Sequence, residues 1–290
     1  VRALSIAAIQ TGAVAGDLDA TWRRFEAQVR AAVALRPHLD LVVVPELLLA
    51  APGPLLVADP DFDERAATTV PGPLTDRLGE LARDLGVWLV PGSLVERGDD
   101  DRLHNTAIAI SPEGEIVARY RKLFPWQPYE ELEPGRDFVT FDIPGRGRIG
   151  LAICFDGSFP EVARQLAWLG AEVIIQPTLT TTRDREMEVV MSRANAFANQ
   201  VFVVNLNGSA PSGVGESVVV DPEGTIMQHA GGGEEVLFSV LDLDRVSIVR
   251  EYGTLGLNRP WVQLAEQCAQ VPYPMFGGAL MLPPPWMSAR

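Results

Sequence analysis

Cys154, Glu46 and Lys122 are the residues of this sequence whose types could carry covalent chemistry. Cys154 closes an apolar stretch, "GRIGLAICF" (147–155), and opens the turn "CFDGSFPE". Reactive groups in α/β folds gather beyond the carboxyl ends of strands. A helix starting near Pro160 would aim its positive end at that turn and favour a thiolate. The ordinary alternative is a small core residue, since free cysteine is among the most buried types. Glu46 sits in "LVVVPELLLAAPGP", with apolar residues on both sides. A carboxylate buried there is costly unless paired or working, and desolvation would lift its pKa toward the range of a general base. It could instead turn outward at a strand end or cap a helix. Lys122 is the single lysine among 24 basic residues. A compact ammonium on a flexible stem is a different tool from arginine, suited to meeting one developing oxyanion. Compositional bias alone could leave one lysine, but this one leads into "LFPWQPYEELEPG", dense in aromatics, prolines and acids. Glu130, in that stretch, is a candidate second carboxylate.

Cysteine hydrolases more often pair the thiol with histidine. The histidines here are His38, His104 and His229, none at metal-ligand spacing from another His or Cys. A zinc site is therefore not expected, and a glutamate is the alternative base for the thiol. Trp126, Tyr129, Phe155 and the threonine stretch from Thr178 to Thr182 are candidates for a substrate pocket by nearness to these residues. The aromatics could equally be core.

The elements that must position these groups alternate between strand and helix. "LSIAAIQ" (4–10), "LDLVVVPE" (39–46), "VWLVPGSL" (87–94), "GRIGLAICF" (147–155), "AEVIIQPT" (171–178) and "VFVVNLNG" (201–208) read as strands by their β-branched apolar runs. Between them Trp22, Phe25, Val29 and Val33, and Leu74, Leu78, Leu81 and Leu85, fall at helical spacing. Pro160 suits a helix start and Gly170 a helix end, and a further helix is expected from about Glu186 to Asn199. "AIAISPEGEIVARY" (107–120) and "SVVVDPEGTIMQHA" (217–230) both read strand, Pro-Glu-Gly turn, strand, hence two β-hairpins. Strand–helix units plus a hairpin, seen twice, predict two similar halves, with two sheets face to face and helices outside; chance likeness of the two turns is the competing explanation. Residues 1–246 are expected to form this domain. The remainder, 247–290, is rich in Pro, Gly and large apolar residues and is expected to pack on the domain or across a dimer interface.

Composition removes other classes. A net charge of −14 and a pI near 4.7 argue against nucleic acid and against anionic membranes. No apolar run reaches the ~20 residues needed to cross a bilayer, and "VRALSIAAIQ" reads as a first strand rather than a signal peptide. Two cysteines, Cys154 and Cys268, are too few for a disulfide framework, and a reducing cytoplasm is the simplest setting.

Taken together, "VVVPELLL", "RYRKLFPW" and "GLAICFDGSFPEVARQLAWLGAEVIIQPT" resemble, in order, the glutamate, lysine and cysteine blocks of the nitrilase (carbon–nitrogen hydrolase) superfamily. "HNTAIAISPEGEIVARYRK" and "RANAFANQVFVVNLNG" are also similar to that family, and the likeness runs from about Leu4 to Val246. The resemblance implies a four-layer α-β-β-α sandwich, a homodimer or higher homo-oligomer through the outer helices, and no metal or organic cofactor. It implies a Glu-Lys-Cys set at Glu46, Lys122 and Cys154, with a second glutamate at Glu130, acting on a small-molecule amide through a cysteine thioester. "PWQPYE" with "CFDGSFPE" resembles the aliphatic amidase and formamidase branch, although Phe155 stands where that branch usually has an acid. The Trp-Glu that follows the cysteine in nitrilases is absent. N-carbamoyl (ureido) hydrolysis is the alternative; Ser158 and Phe159 occupy the places of its carboxylate-holding arginines, leaving Arg183 or Arg185 as substitutes. A catalytically inactive scaffold is a remaining reading, as is a redox sensor, which would need a resolving thiol near Cys154 where nothing in the sequence places Cys268.

Overall fold

A computed structural model of the chain describes residues 1–54, 61–267, 271–280, 282 and 284–287. The first half of the chain runs β1 (Ala3–Gln10), α1 (Leu18–Leu35), β2 (Leu41–Val43), α2 (Phe62–Ala66), α3 (Pro73–Leu85), β3 (Trp88–Val90), β4 (Ser93–Arg97), β5 (Leu103–Ile110) and β6 (Ile116–Arg121). The second runs β7 (Thr140–Ile143), β8 (Gly147–Leu151), α4 (Pro160–Trp168), β9 (Val173–Thr178), α5 (Asp184–Asn199), β10 (Phe202–Asn207), β11 (Val218–Val220) and β12 (Ile226–His229). β13 (Glu235–Asp242), α6 (Asp244–Tyr252) and α7 (Pro260–Gln267) follow.

Among the described residues the strands form two main sheets, one of seven strands and one of six. In the first, β1, β2 and β3 are parallel neighbours and the β5–β6 hairpin extends the sheet. In the second, β8, β9 and β10 are parallel and the β11–β12 hairpin extends it. The halves therefore repeat. Both Pro-Glu-Gly turns even close with the same hydrogen bond, Gly114 N–H to Ser111 O and Gly224 N–H to Asp221 O, each at 2.9 Å. β13 lies outside this repeat and pairs antiparallel along all of β1, from Ala3 opposite Asp242 to Gln10 opposite Glu235.

Side-chain alternation explains the layers. Leu4, Ile6 and Ala8 of β1 enter the core between the sheets, where they meet Ile149, Leu151, Val173, Ile175 and Val204 of the second sheet. Ala7 and Ile9 point the other way, onto Trp22, Phe25 and Val29 of α1 and Leu78 and Leu81 of α3. α4 and α5 cover the second sheet through Val162, Leu166 and Ala196. Helices thus flank both sheets, giving the four-layer α-β-β-α sandwich. Fully burying one side chain such as Phe25, 1% exposed, contributes about 1.5–3 kcal/mol.

One expected strand is divided. "VWLVPGSL" is broken at Pro91–Gly92 into β3 and β4, because the chain there folds against the loop that carries Glu46. A Cβ at Gly92 would lie 1.8 Å from the Pro45 carbonyl oxygen, and Gly92 has φ +74°, so only glycine fits. Beyond the break, Ser93 Oγ accepts the Leu47 N–H at 3.1 Å.

The chain after residue 246 continues within α6, whose Val246, Val249 and Arg250 are buried. Trp261 of α7 is fully buried and its indole N–H donates to Asn199 O at 2.9 Å. The Trp286 indole donates to Ala167 O at 3.1 Å. These residues pack on the α4–α5 layer. Cys268 lies outside the described residues. Among the described residues no helix is long and apolar enough to cross a membrane.

Candidate active site

Glu46, Lys122 and Cys154 each follow a strand: β2, β6 and β8. Their loops meet at one end of the two sheets. Pro45 stops β2 and leaves Glu46 only 3% exposed. Lys122 is 2% exposed, held where its N–H donates to Asn105 O at 2.8 Å and its carbonyl accepts Gly135 N–H at 2.7 Å. Cys154 begins a short 3-10 turn, Cys154–Ser158, with φ +45°. That left-handed conformation is strained for a residue with a side chain.

The buried polar groups form one cluster. Lys122 Nζ donates to Glu46 Oε1 at 2.9 Å and to Glu130 Oε2 at 2.6 Å. Asn105 Nδ2 also spans both acids, at 2.8 Å to Glu46 Oε1 and 2.7 Å to Glu130 Oε1. The Trp126 N–H adds a bond to Glu130 Oε2 at 2.8 Å. Three of the four carboxylate oxygens are engaged by N–H donors. Among the described residues Glu46 Oε2 receives no N–H donor, and the Cys154 thiol lies in hydrogen-bonding reach of that carboxyl.

Electrostatics follow from burial. Desolvation lifts the Glu46 carboxyl above its ordinary range, the Lys122 charge opposes this, and Glu130 adds to it. Burial would strip the proton from Lys122, but the carboxylates of Glu46 and Glu130 outweigh it and keep the ammonium well above its usual value. Burial, then the Glu46 charge, pushes the Cys154 thiol up; Lys122 and the Thr178 hydroxyl pull it back. The resting pair is therefore a neutral thiol beside a carboxylate made more basic by burial, which is the state a general base mechanism starts from. Thr178 is fully buried behind the thiol.

Asp156 joins the lysine loop to the cysteine turn. It is fully buried, and it accepts the Tyr120 hydroxyl at 2.6 Å, Phe124 N–H at 3.0 Å and Ile153 N–H at 2.9 Å. Gln176 Nε2 donates to Cys154 O at 2.7 Å and Asn195 Nδ2 to Gly157 O at 2.9 Å, fixing the rest of the turn. Asn105 and Asp156 were not singled out from the sequence. The available signal was the polar run His104-Asn105-Thr106 within the buried β5, and an acid two places after the cysteine.

Cys154 opens into a pocket of about 320 Å³. Trp126 and Phe155 form one wall, and α5 supplies another through Asp184, Met187, Glu188 and Met191, whose spacing puts them on one helical face. Larger hollows of about 750 and 650 Å³ lie elsewhere, and none of Glu46, Lys122 and Cys154 lines them. Tyr129 does not line the pocket: it is 69% exposed and stacks on the outer side of Trp126, with ring centres 4.9 Å apart. Arg185 is not available to hold a substrate carboxylate. It is 2% exposed, and it donates to Glu188 Oε2 at 2.9 Å, Asn205 Oδ1 at 2.6 Å and Glu216 O at 2.8 Å. Arg183 is exposed and lies outside the pocket wall.

A fold of two helix-flanked sheets with a buried acid–ammonium–thiol cluster at its strand ends defines a class, and the sequence profile of the carbon-nitrogen hydrolase family matches residues 5–251. The chain belongs to that family. It is 33% identical over 216 residues to a formamidase of Bacillus thuringiensis (strain Al Hakam), a match covering 73% of this chain and 64% of that enzyme. The chain thus spans just under two thirds of the length of the curated formamidases it matches. Its fold is similar to that of a Saccharomyces cerevisiae member of branch 10 of the nitrilase superfamily, with TM-score 0.78 and 26% identity over 89% of this chain and 97% of that one. It is also similar to an amidase from Nesterenkonia sp., with TM-score 0.71 and 25% identity over 84% and 92%.

Proposed function

We propose that the protein hydrolyses the C–N bond of a small linear amide, with Cys154 as nucleophile, Glu46 as general base and acid, Lys122 as oxyanion partner and Glu130 as the group that orients Lys122. Glu46 Oε2 takes the thiol proton while sulfur attacks the carbonyl carbon. The oxyanion of the tetrahedral adduct is held by Lys122 and the backbone N–H of Phe155. Glu46 passes its proton to the departing nitrogen, so ammonia or an amine leaves and a thioester remains. Glu46 then takes a proton from water; the hydroxide attacks the thioester, and the thiolate leaves as the acid is released and recovers that proton. No step calls for a metal or organic cofactor.

The observation that carries this reading is a Glu46 carboxyl in hydrogen-bonding reach of the thiol, with three of the four oxygens of the two acids engaged by N–H donors among the described residues. The formamidase and amidase relatives and the small pocket support a short acyl chain, with Trp126 and Phe155 in contact with it, Thr178 supporting the thiol, and Tyr129 bracing Trp126. N-carbamoyl amino acids fit less well, because among the described residues the pocket wall carries two acids and no cation. We place the protein in the cytoplasm as a homodimer; apolar Val190 and Phe197 stand exposed on α5. The test is an ammonia-release screen across formamide, acetamide, propionamide, butyramide, N-carbamoylalanine and acetonitrile, with Cys154→Ala as blank. Ammonia from the amides, absent in the blank, is expected. Carbon dioxide and ammonia from N-carbamoylalanine with no turnover of any amide would overturn the proposal.

A further inference from the structure

We infer that the pocket sorts amides by charge: it takes acyl chains that are uncharged or bear a protonated amine, and it rejects those ending in a carboxylate. This rests on the amidase reading above. Among the pocket-lining residues the ionisable groups other than the thiol are Asp184 and Glu188, both acids. Asp184 is exposed at the rim, and the Glu188 side chain is 15% exposed, so each can be reached from the pocket. Glu188 is close enough to the thiol that its charge bears on the ionisation of Cys154.

A helix N-terminus attracts acids for its own stability, and that could account for Asp184 in the first turn of α5. It does not account for Glu188 in the second turn. Glu188 is fixed there by the Thr180 hydroxyl, from outside the helix, at 2.6 and 2.8 Å to its two oxygens, and by Arg185 three residues earlier on the same helix. The Arg185 guanidinium divides its other bonds between Asn205 and the Glu216 carbonyl, so its charge is directed into the protein rather than toward the ligand. At the chemical end, Lys122 is already shared by two carboxylates. Among the described residues the site sets four acids, Glu46, Glu130, Asp184 and Glu188, against two cations, Lys122 and Arg185. An incoming carboxylate would lose water and meet like charge on two sides, whereas Met187, Met191, Trp126 and Phe155 offer an uncharged chain apolar contact.

The experiment compares three amides of matched length at pH 7.5: butyramide, 4-aminobutanamide and succinamate. In kcat/KM, succinamate is expected at least about ten-fold below butyramide, with 4-aminobutanamide equal to or above it. Added sodium chloride should narrow the gap, because exposed charges are screened. Asp184→Asn should narrow it as well, and Glu188→Gln further; if Glu188→Gln does not fold with Arg185 left unpaired, Asp184→Asn and the salt series carry the test. Succinamate turned over as fast as butyramide overturns the inference while leaving the amidase reading intact. A gap insensitive to both salt and Asp184→Asn overturns it too. So does turnover of formamide with none of the three longer amides, since the pocket would then take no acyl chain. Ammonia from no amide at all sinks the amidase reading and this inference with it.

Discussion

Replacing Lys122 with methionine removes the ammonium while nearly keeping its length. Two carboxylates then remain in a buried cluster, bridged only by the amide of Asn105, where before the ammonium lay 2.9 Å from one and 2.6 Å from the other. Breaking a buried ion cluster by removing one partner costs about 3–5 kcal/mol. That cost depends on pH in a direction the structure sets. Burial already lifts the Glu46 carboxyl in the folded protein, and loss of the neighbouring cation lifts it further. A folded-state pKa above the unfolded one means that the native state binds more protons, so stability falls as pH rises between the two values, by up to about 1.4 kcal/mol per unit for one proton. The stability deficit of the Lys122→Met protein should therefore grow as pH rises from 5 to 8, as Glu46 loses its proton. Urea melts of both proteins at pH 5, 6, 7 and 8, followed by circular dichroism, measure this. A deficit that is flat across pH, or below about 1 kcal/mol at pH 8, would refute the picture of a single cation shared by two acids.

Three further outcomes follow from the same geometry. Cys154→Ala should release no ammonia and keep the fold, and Cys154→Gly should be more stable than Cys154→Ala by about 1 kcal/mol, because the left-handed backbone at this position costs any residue with a Cβ; equal melting would mean that the turn stores no strain. Asn105→Leu removes one N–H from each carboxylate and should lower kcat by about 10- to 100-fold, the worth of a hydrogen bond to a charged group, with little change in KM and a shifted pH profile for alkylation of Cys154 by iodoacetamide. Unchanged turnover would make that amide a bystander.

The layers of the fold were legible because burial on both faces leaves long β-branched runs, and helices announce themselves by apolar spacing. Glu46 stood out as a charge among leucines, and Lys122 as the one exception to a rule of composition. Asn105 and Asp156 did not stand out, because what they do depends on partners in other loops: Asn105 matters only once β5, β2 and the 130 region meet, and Asp156 only once the cysteine turn lies against Tyr120 and Phe124. The break at Pro91–Gly92 was hidden for the same reason, since the Pro45 carbonyl that demands it lies far off in sequence. β13 was not anticipated from the sequence, and its pairing with the first strand of the chain is set by closure of the whole sheet. Tyr129 drew notice by its place in a motif, but sequence spacing does not say on which side of Trp126 it stacks.

The cluster straddles a seam. Glu46, Asn105, Lys122 and Glu130 hang from one β-sheet, the thiol from the other, and Asp156 stitches across by accepting the Tyr120 hydroxyl. The proposed chemistry is thus a gauge of whether two slabs are seated on each other. A molecule whose halves each keep their helices but have slipped by a single pleat holds every reacting atom and can transfer no proton, and a compound wedged into the hydrocarbon between the slabs would silence the cleft without entering it.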